Sequence, residues 1–129
     1  MIALDTNVVV RLLVNDDPAQ TRRARKLLET RNVLILPTVL LETEWVLRGA
    51  YEIGRLAIAG SMRKLLGLPN VEVAKAQPVA LALEWFEAGL DFAAALHLAL
   101  AEDAHSLVTF DARLARRARR ITGREVTAL

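Results

Sequence analysis

Ile2-Ala3-Leu4-Asp5-Thr6-Asn7 is the stretch on which the fold turns. Three apolar residues without alternation predict a short strand buried on both faces, as in a parallel sheet. Asp5 ends that strand, and Val8 to Val14 continues as a short helix. Val33-Leu34-Ile35-Leu36, stopped by Pro37, predicts a second strand, Val71-Glu72-Val73 a weak third, and Ser106 to Thr109 a fourth. Glu125 to Thr127 predicts an edge strand. Between them lie helical stretches. Asp17 caps one that has Pro18 at its first position and runs to about Glu29. Thr38 caps another from Val39 to about Tyr51, and Gly54 to Leu66 follows. Pro78 to Ala88 ends at Gly89, Asp91 caps Phe92 to about Asp103, and Asp111 caps the last helix. Strands separated by helices imply right-handed crossovers. The expected fold is α/β, a three-layer α/β/α sandwich around a central parallel sheet of roughly four to five strands, in one domain over residues 1–129.

Composition narrows the chemistry. The 129 residues are 53% hydrophobic and 25% charged, which excludes intrinsic disorder. Without cysteine there is no disulfide scaffold, thiolate-bound zinc, iron–sulfur cluster or cysteine nucleophile. Two histidines, His97 and His105, are too few for a His-rich metal site; His97 reads as a packed helix residue. Asp5 interrupts the apolar start, so no secretory signal is expected. The apolar stretch Val79 to Ala101 contains Glu84, Glu87 and Asp91 and cannot span a bilayer. A cytoplasmic globular protein is expected.

Net charge is only +2, but its distribution is lopsided. Cations cluster at Arg22, Arg23, Arg25, Lys26 and Arg31, and again at Arg113, Arg116, Arg117, Arg119, Arg120 and Arg124. None lies between Lys75 and Arg113. Such segregation suits a polyanion held beside an acidic site; it equally suits two solvated helix faces.

Asp5, Asp91 and Asp111 each sit at a strand–helix or turn–helix junction, where a capping role is the ordinary explanation. Glu42 is more informative. It precedes Trp45 and Val46 on a helical apolar stripe and has no cation three or four residues away. Glu44 pairs naturally with Arg48 at i+4 and reads as surface. In α/β sheets, ligands bind beyond the carboxyl ends of the strands. If the strands ending at Asp5 and before Asp111 are neighbours, both carboxylates face one crevice. Convergent carboxylates need a cation, and oxygen donors without thiols select Mg²⁺ or Mn²⁺. That combination fits a phosphodiesterase whose ion activates water and neutralises phosphate charge.

The ordered blocks Leu4-Asp5-Thr6-Asn7-Val8-Val9, Asp16-Asp17-Pro18-Ala19-Gln20, Leu41-Glu42-Thr43-Glu44-Trp45-Val46-Leu47-Arg48, Asp91-Phe92-Ala93 with Ala95-Leu96-His97, and Thr109-Phe110-Asp111 span nearly the whole chain. In these the sequence resembles PIN-domain endoribonucleases, and specifically the VapC toxins of type II toxin–antitoxin systems. The resemblance implies a PIN-like parallel α/β/α sandwich. Its acidic pocket would bind Mg²⁺ or Mn²⁺ and cleave single-stranded RNA by attack of an activated water on a phosphodiester. Asp5, Glu42 and Asp111 match the family's catalytic and metal-binding acids, while Thr6, Asn7, Asp91 and Thr109 match supporting positions. Arg113, Arg116, Arg117 and Arg120 are candidates for RNA binding. A homodimer inhibited by a cognate antitoxin is implied as well.

The family pattern Asp-Phe-Ala-Asp-Ala-Leu-His reads here Asp91-Phe92-Ala93-Ala94-Ala95-Leu96-His97. Ala94 therefore fills the slot of a catalytic, metal-binding carboxylate, and the chain is expected to be catalytically crippled. A natural inactive variant and a deliberate substitution silencing a toxic enzyme both explain this, and the intact remaining blocks favour the second. A non-catalytic RNA- or partner-binding PIN-like module is the alternative. A signalling receiver domain would need an Asp ending the third strand and a Lys ending the last, where Val71-Glu72-Val73-Ala74-Lys75 and Glu125-Val126-Thr127 supply neither. A phosphatase with an Asp-x-Asp loop fails at Asn7.

Overall fold

The computed structural model describes every residue from Met1 to Leu129. Two compact units divide the chain, Met1–Ala76 and Gln77–Leu129.

The first unit runs β1 (Ile2–Ala3), α1 (Thr6–Leu13), α2 (Pro18–Thr30), β2 (Val33–Ile35), α3 (Pro37–Gly49), α4 (Arg55–Leu66) and β3 (Val71–Val73). Its strands form a parallel ladder in the order β1-β2-β3, with Ile2 opposite Val33 and Val33 opposite Val71. Parallel neighbours require crossovers, which α1–α2 and α3–α4 provide. Val33, Ile35, Leu40, Leu47, Ile58 and Met62 are essentially inaccessible and form the core. The Asn70 side-chain amide donates to the carbonyls of Leu28 and Arg31, pinning the end of α2 to the turn before β3.

The second unit contains nearly all of α5 (Ala76–Glu87), then α6 (Phe92–Leu100), β4 (Leu107–Thr109), α7 (Ala112–Thr122) and β5 (Val126–Ala128). β4 and β5 pair in parallel, Leu107 opposite Val126, and α7 is the crossover between them. α5 and α6 meet through a T-shaped contact of Phe86 and Phe92, ring centroids 5.2 Å apart. Gly89 makes their tight connection at φ +114°, a conformation L side chains rarely adopt. Gly123, at φ +70°, closes α7 in the left-handed cap conformation.

The α/β class, the parallel pairing and all five strands agree with the sequence reading; the strands hydrogen-bond as one three-stranded and one two-stranded ladder. Asp17 caps α2 as expected, accepting from the Gln20 N–H at 3.1 Å. Several helix ends differ: α1 begins at Thr6 rather than Val8, and α5 at Ala76 rather than Pro78. Thr38 does not cap α3, which begins earlier at Pro37 because a proline's fixed φ already suits a first helical turn. Helix α6 stops at Leu100 rather than near Asp103. Glu102 and Asp103 would have placed negative charge at the negative end of the helix dipole.

Candidate active site

Asp5 leaves the C-terminal end of β1 and caps α1, its Oδ1 accepting from the Thr6 N–H at 2.9 Å. Its other carboxylate oxygen has no hydrogen-bond partner. The neighbouring strand β2 leads into α3, whose second turn carries Glu42. Both acids therefore arise beyond the carboxyl ends of adjacent parallel strands, where ligands of such sheets bind. They line one cavity of about 440 Å³ with Thr6, Asn7, Arg11 and Tyr51. Glu42 is exposed and has no ion-pair partner. Thr6 Oγ1 is buried without a hydrogen-bond partner, a costly state for a hydroxyl unless a ligand or water meets it.

The cavity edge is held by groups that the sequence did not single out. The Arg11 guanidinium donates to Gln20 Oε1 at 2.7 Å, to Asp16 Oδ1 at 3.1 Å and to the Tyr51 hydroxyl at 3.3 Å. Tyr51 in turn donates to Asp16 Oδ2 at 2.6 Å. The Tyr51 hydrogen bond, with the Arg11 charge second, holds the Asp16 carboxyl below its ordinary range. No spacing rule links residues 11, 16, 20 and 51, so the network is visible only once α1, α2 and the end of α3 have packed.

The second unit gathers a different set. Asp91 caps α6, accepting from the Ala94 N–H at 3.1 Å, and Asp111 caps α7, accepting from the Leu114 N–H at 3.0 Å. The Thr109 hydroxyl accepts from the Asp111 N–H at 3.0 Å, so Thr109 fixes the turn before α7. Asp91 and Asp111 line a cavity of about 520 Å³ with Arg113, Arg116, Arg117 and Arg120. None of those four arginines forms an ion pair within 4 Å. Their spacing of three, four and seven places them on one helical face, while Ala115 and Ala118 on the other are buried. The remaining two arginines of the cluster have structural work. Arg119 donates to the Val126 carbonyl at 2.7 Å, and Arg124 lies 5.3 Å from the Trp85 ring centroid.

Ala94 is 6% exposed in the first turn of α6. It offers no donor atom beyond its backbone. Three expectations about side chains are corrected. Glu44, read as surface, is 2% exposed, although its pairing with Arg48 Nε at 2.8 Å is as expected. Glu42, read as core-facing, is exposed, as is Trp45 at 66%. The buried stripe of α3 is Val39, Leu40, Thr43, Glu44 and Leu47, one position out of phase with the stripe through Trp45 and Val46. His97, read as packed, is exposed on α6.

No three Asp, Glu or His side chains are gathered closely enough to hold a metal ion among themselves. No helix is long and apolar enough to cross a membrane. Comparison with curated proteins and with solved structures gives no match. A family model does match: the PIN domain, over residues 2–120, covering both units from β1 to the last turn of α7. The parallel ladders with helical crossovers are thus those of a chain that belongs to the PIN-domain family, whose members are generally metal-dependent nucleases.

Proposed function

We propose that this chain is an endoribonuclease toxin of the VapC kind, acting on single-stranded RNA and neutralised by a cognate antitoxin, and that Ala94 leaves the present sequence catalytically crippled. The observation that carries the reading is the pairing of Asp5 and Glu42 in one cavity with the unpartnered Thr6 hydroxyl. The donors are hard oxygens, which fit Mg²⁺ or Mn²⁺ in kind. They also fit in number, since Mg²⁺ is ordinarily held by one or two carboxylates together with substrate phosphates. Asp5 and Glu42 would hold the ion, which when bound supplies Lewis acidity and neutralises charge developing on the phosphate.

The chain's own groups do the positioning. The Asp5 cap commits one oxygen to the Thr6 N–H, which leaves a single oxygen in fixed orientation toward the cavity. The Arg11–Asp16–Tyr51 network ties the cavity wall across three segments of chain. Asp111 and the slot at position 94 are the second unit's acids in this reading, with Asp91 and Thr109 as supports, and they rest on the resemblance. A single domain, a homodimer and a cytoplasmic location belong to the same proposal. The alternative of a non-catalytic RNA- or partner-binding module is favoured by one observation, the methyl group at position 94.

Ala94→Asp tests the proposal. Loss of a supporting group around a metal already costs roughly 10- to 100-fold, so restoring a direct ligand should raise Mg²⁺-dependent RNA cleavage by at least that factor. Asp5→Asn in the Ala94→Asp background should abolish the gain. Mn²⁺ should raise the melting temperature of Ala94→Asp more than that of the present sequence. Neither cleavage nor a Mn²⁺-dependent shift would return the protein to the non-catalytic reading.

A further inference from the structure

Phe110 is 84% exposed, the most exposed of the large apolar side chains. It is not on a loose segment. The Thr109 carbonyl accepts from the Leu129 N–H at 2.8 Å, which extends the β4–β5 ladder up to it. On the other side, the Thr109 hydroxyl receives the Asp111 N–H, and Asp111 caps α7. Phe110 is thus spanned by a side-chain-to-backbone bond and displayed on a fixed turn. An aromatic ring left in water forgoes the stabilisation that burial gives, and exposed aromatic rings combined with unpaired cations are what hold unstacked bases. The next residue, Asp111, lines the cavity that contains Arg113, Arg116, Arg117 and Arg120. Four guanidinium groups on one helical face, without a carboxylate in ion-pair range, leave a charge deficit that phosphates complement.

We propose that Phe110 is a base-stacking platform and that the four arginines hold the phosphates flanking the stacked nucleotide. The proposal rests on the ribonuclease reading and adds a residue that selects single strands, because only an unpaired base can leave its neighbours and lie on the ring.

The test measures binding of a short, end-labelled, mixed-sequence RNA, single-stranded and as a duplex, over a series of salt concentrations. EDTA is present so that cleavage cannot intervene. F110A removes an exposed ring and leaves the core untouched. It should weaken single-strand binding roughly 5- to 150-fold, the equivalent of one stacked base, with the salt slope and the duplex affinity unchanged. F110W should retain single-strand affinity, and its fluorescence, measured as the difference from wild type with Trp45 and Trp85, should be quenched by the single strand. Equal affinity of F110A and wild type for the single strand overturns the proposal, as does an equal loss on the duplex. A wild-type protein that binds no RNA overturns the ribonuclease reading along with it. Loss of oligoglutamate binding in F110A, with RNA binding intact, assigns the ring to an acidic protein partner and overturns the proposal alone.

Discussion

Replacing Arg117 by glutamine should stabilise the protein, although it deletes a long side chain from the middle of a helix. Arg117 lies four residues after Arg113 and three before Arg120, with no carboxylate in ion-pair range. Like charges at these spacings cost about 0.2–0.5 kcal/mol each, so removing Arg117 relieves about 0.4–1 kcal/mol at low ionic strength. Arginine and glutamine have nearly equal helix propensity, and Arg117 is exposed, so neither term opposes the gain. Unfolding should be followed in urea, because guanidinium is itself a salt. At ~0.01 M salt, where charges interact over roughly 30 Å, the midpoint should rise. At about 1 M salt, with a screening length near 3 Å, the gain should vanish. Arg119→Gln is the control of opposite sign. It loses the 2.7 Å bond to the Val126 carbonyl, a loss of about 1 kcal/mol that is clearest at high salt, where relief of the Arg116–Arg119 pair is screened. If Arg117→Gln destabilised the protein at low salt, the arginine would already have an internal counter-charge. The α7 face would then have no unmet charge to offer a polyanion.

Two further outcomes follow from the first unit. The Asp16 carboxyl is held below its usual 3.8 by the Tyr51 hydroxyl and Arg11, so its contribution is present above about pH 4 and is lost as pH falls through the depressed value. Tyr51→Phe should reduce the acid sensitivity of stability in that window, and an unchanged stability–pH profile below about pH 4 would contradict it. Arg48→Met strands the Glu44 carboxylate, which is 2% exposed, and should cost about 1–3 kcal/mol in urea unfolding, discounted because Arg48 itself is half exposed. The Glu44→Leu/Arg48→Met double variant should recover part of that loss, and a greater loss in the double variant than in Arg48→Met would refute the account.

Element order was legible because punctuation and periodicity agreed along the chain. The capping residues Asp5, Asp17, Asp91 and Asp111 each stand one residue before the helix they were expected to start. Helix phase was harder. Around α3 the sequence has Val39, Leu40 and Leu41, then Trp45, Val46 and Leu47, so apolar residues occupy every side. Periodicity alone could not decide whether Glu42 or Glu44 faced inward. Packing against α1 and α4 decided it, burying Thr43 and Glu44 and leaving Trp45 out. That Asp5 and Glu42 share one cavity follows from β1 and β2 being parallel neighbours, which the strand pattern made legible. The Arg11–Asp16–Tyr51 network was not, since it depends on contacts across 35 and 40 residues of chain.

Three of the candidate acids, Asp5, Asp91 and Asp111, begin helices, and each commits one oxygen to a backbone N–H. Such a residue answers to two demands at once. Asparagine would keep the cap and remove the charge; alanine would lose both, at about 0.5–2 kcal/mol per lost cap. Position 94 carries no such double duty, because its backbone N–H reaches Asp91 whatever side chain it bears. A change of side chain there leaves the start of α6 capped, which none of the three aspartates can claim of itself.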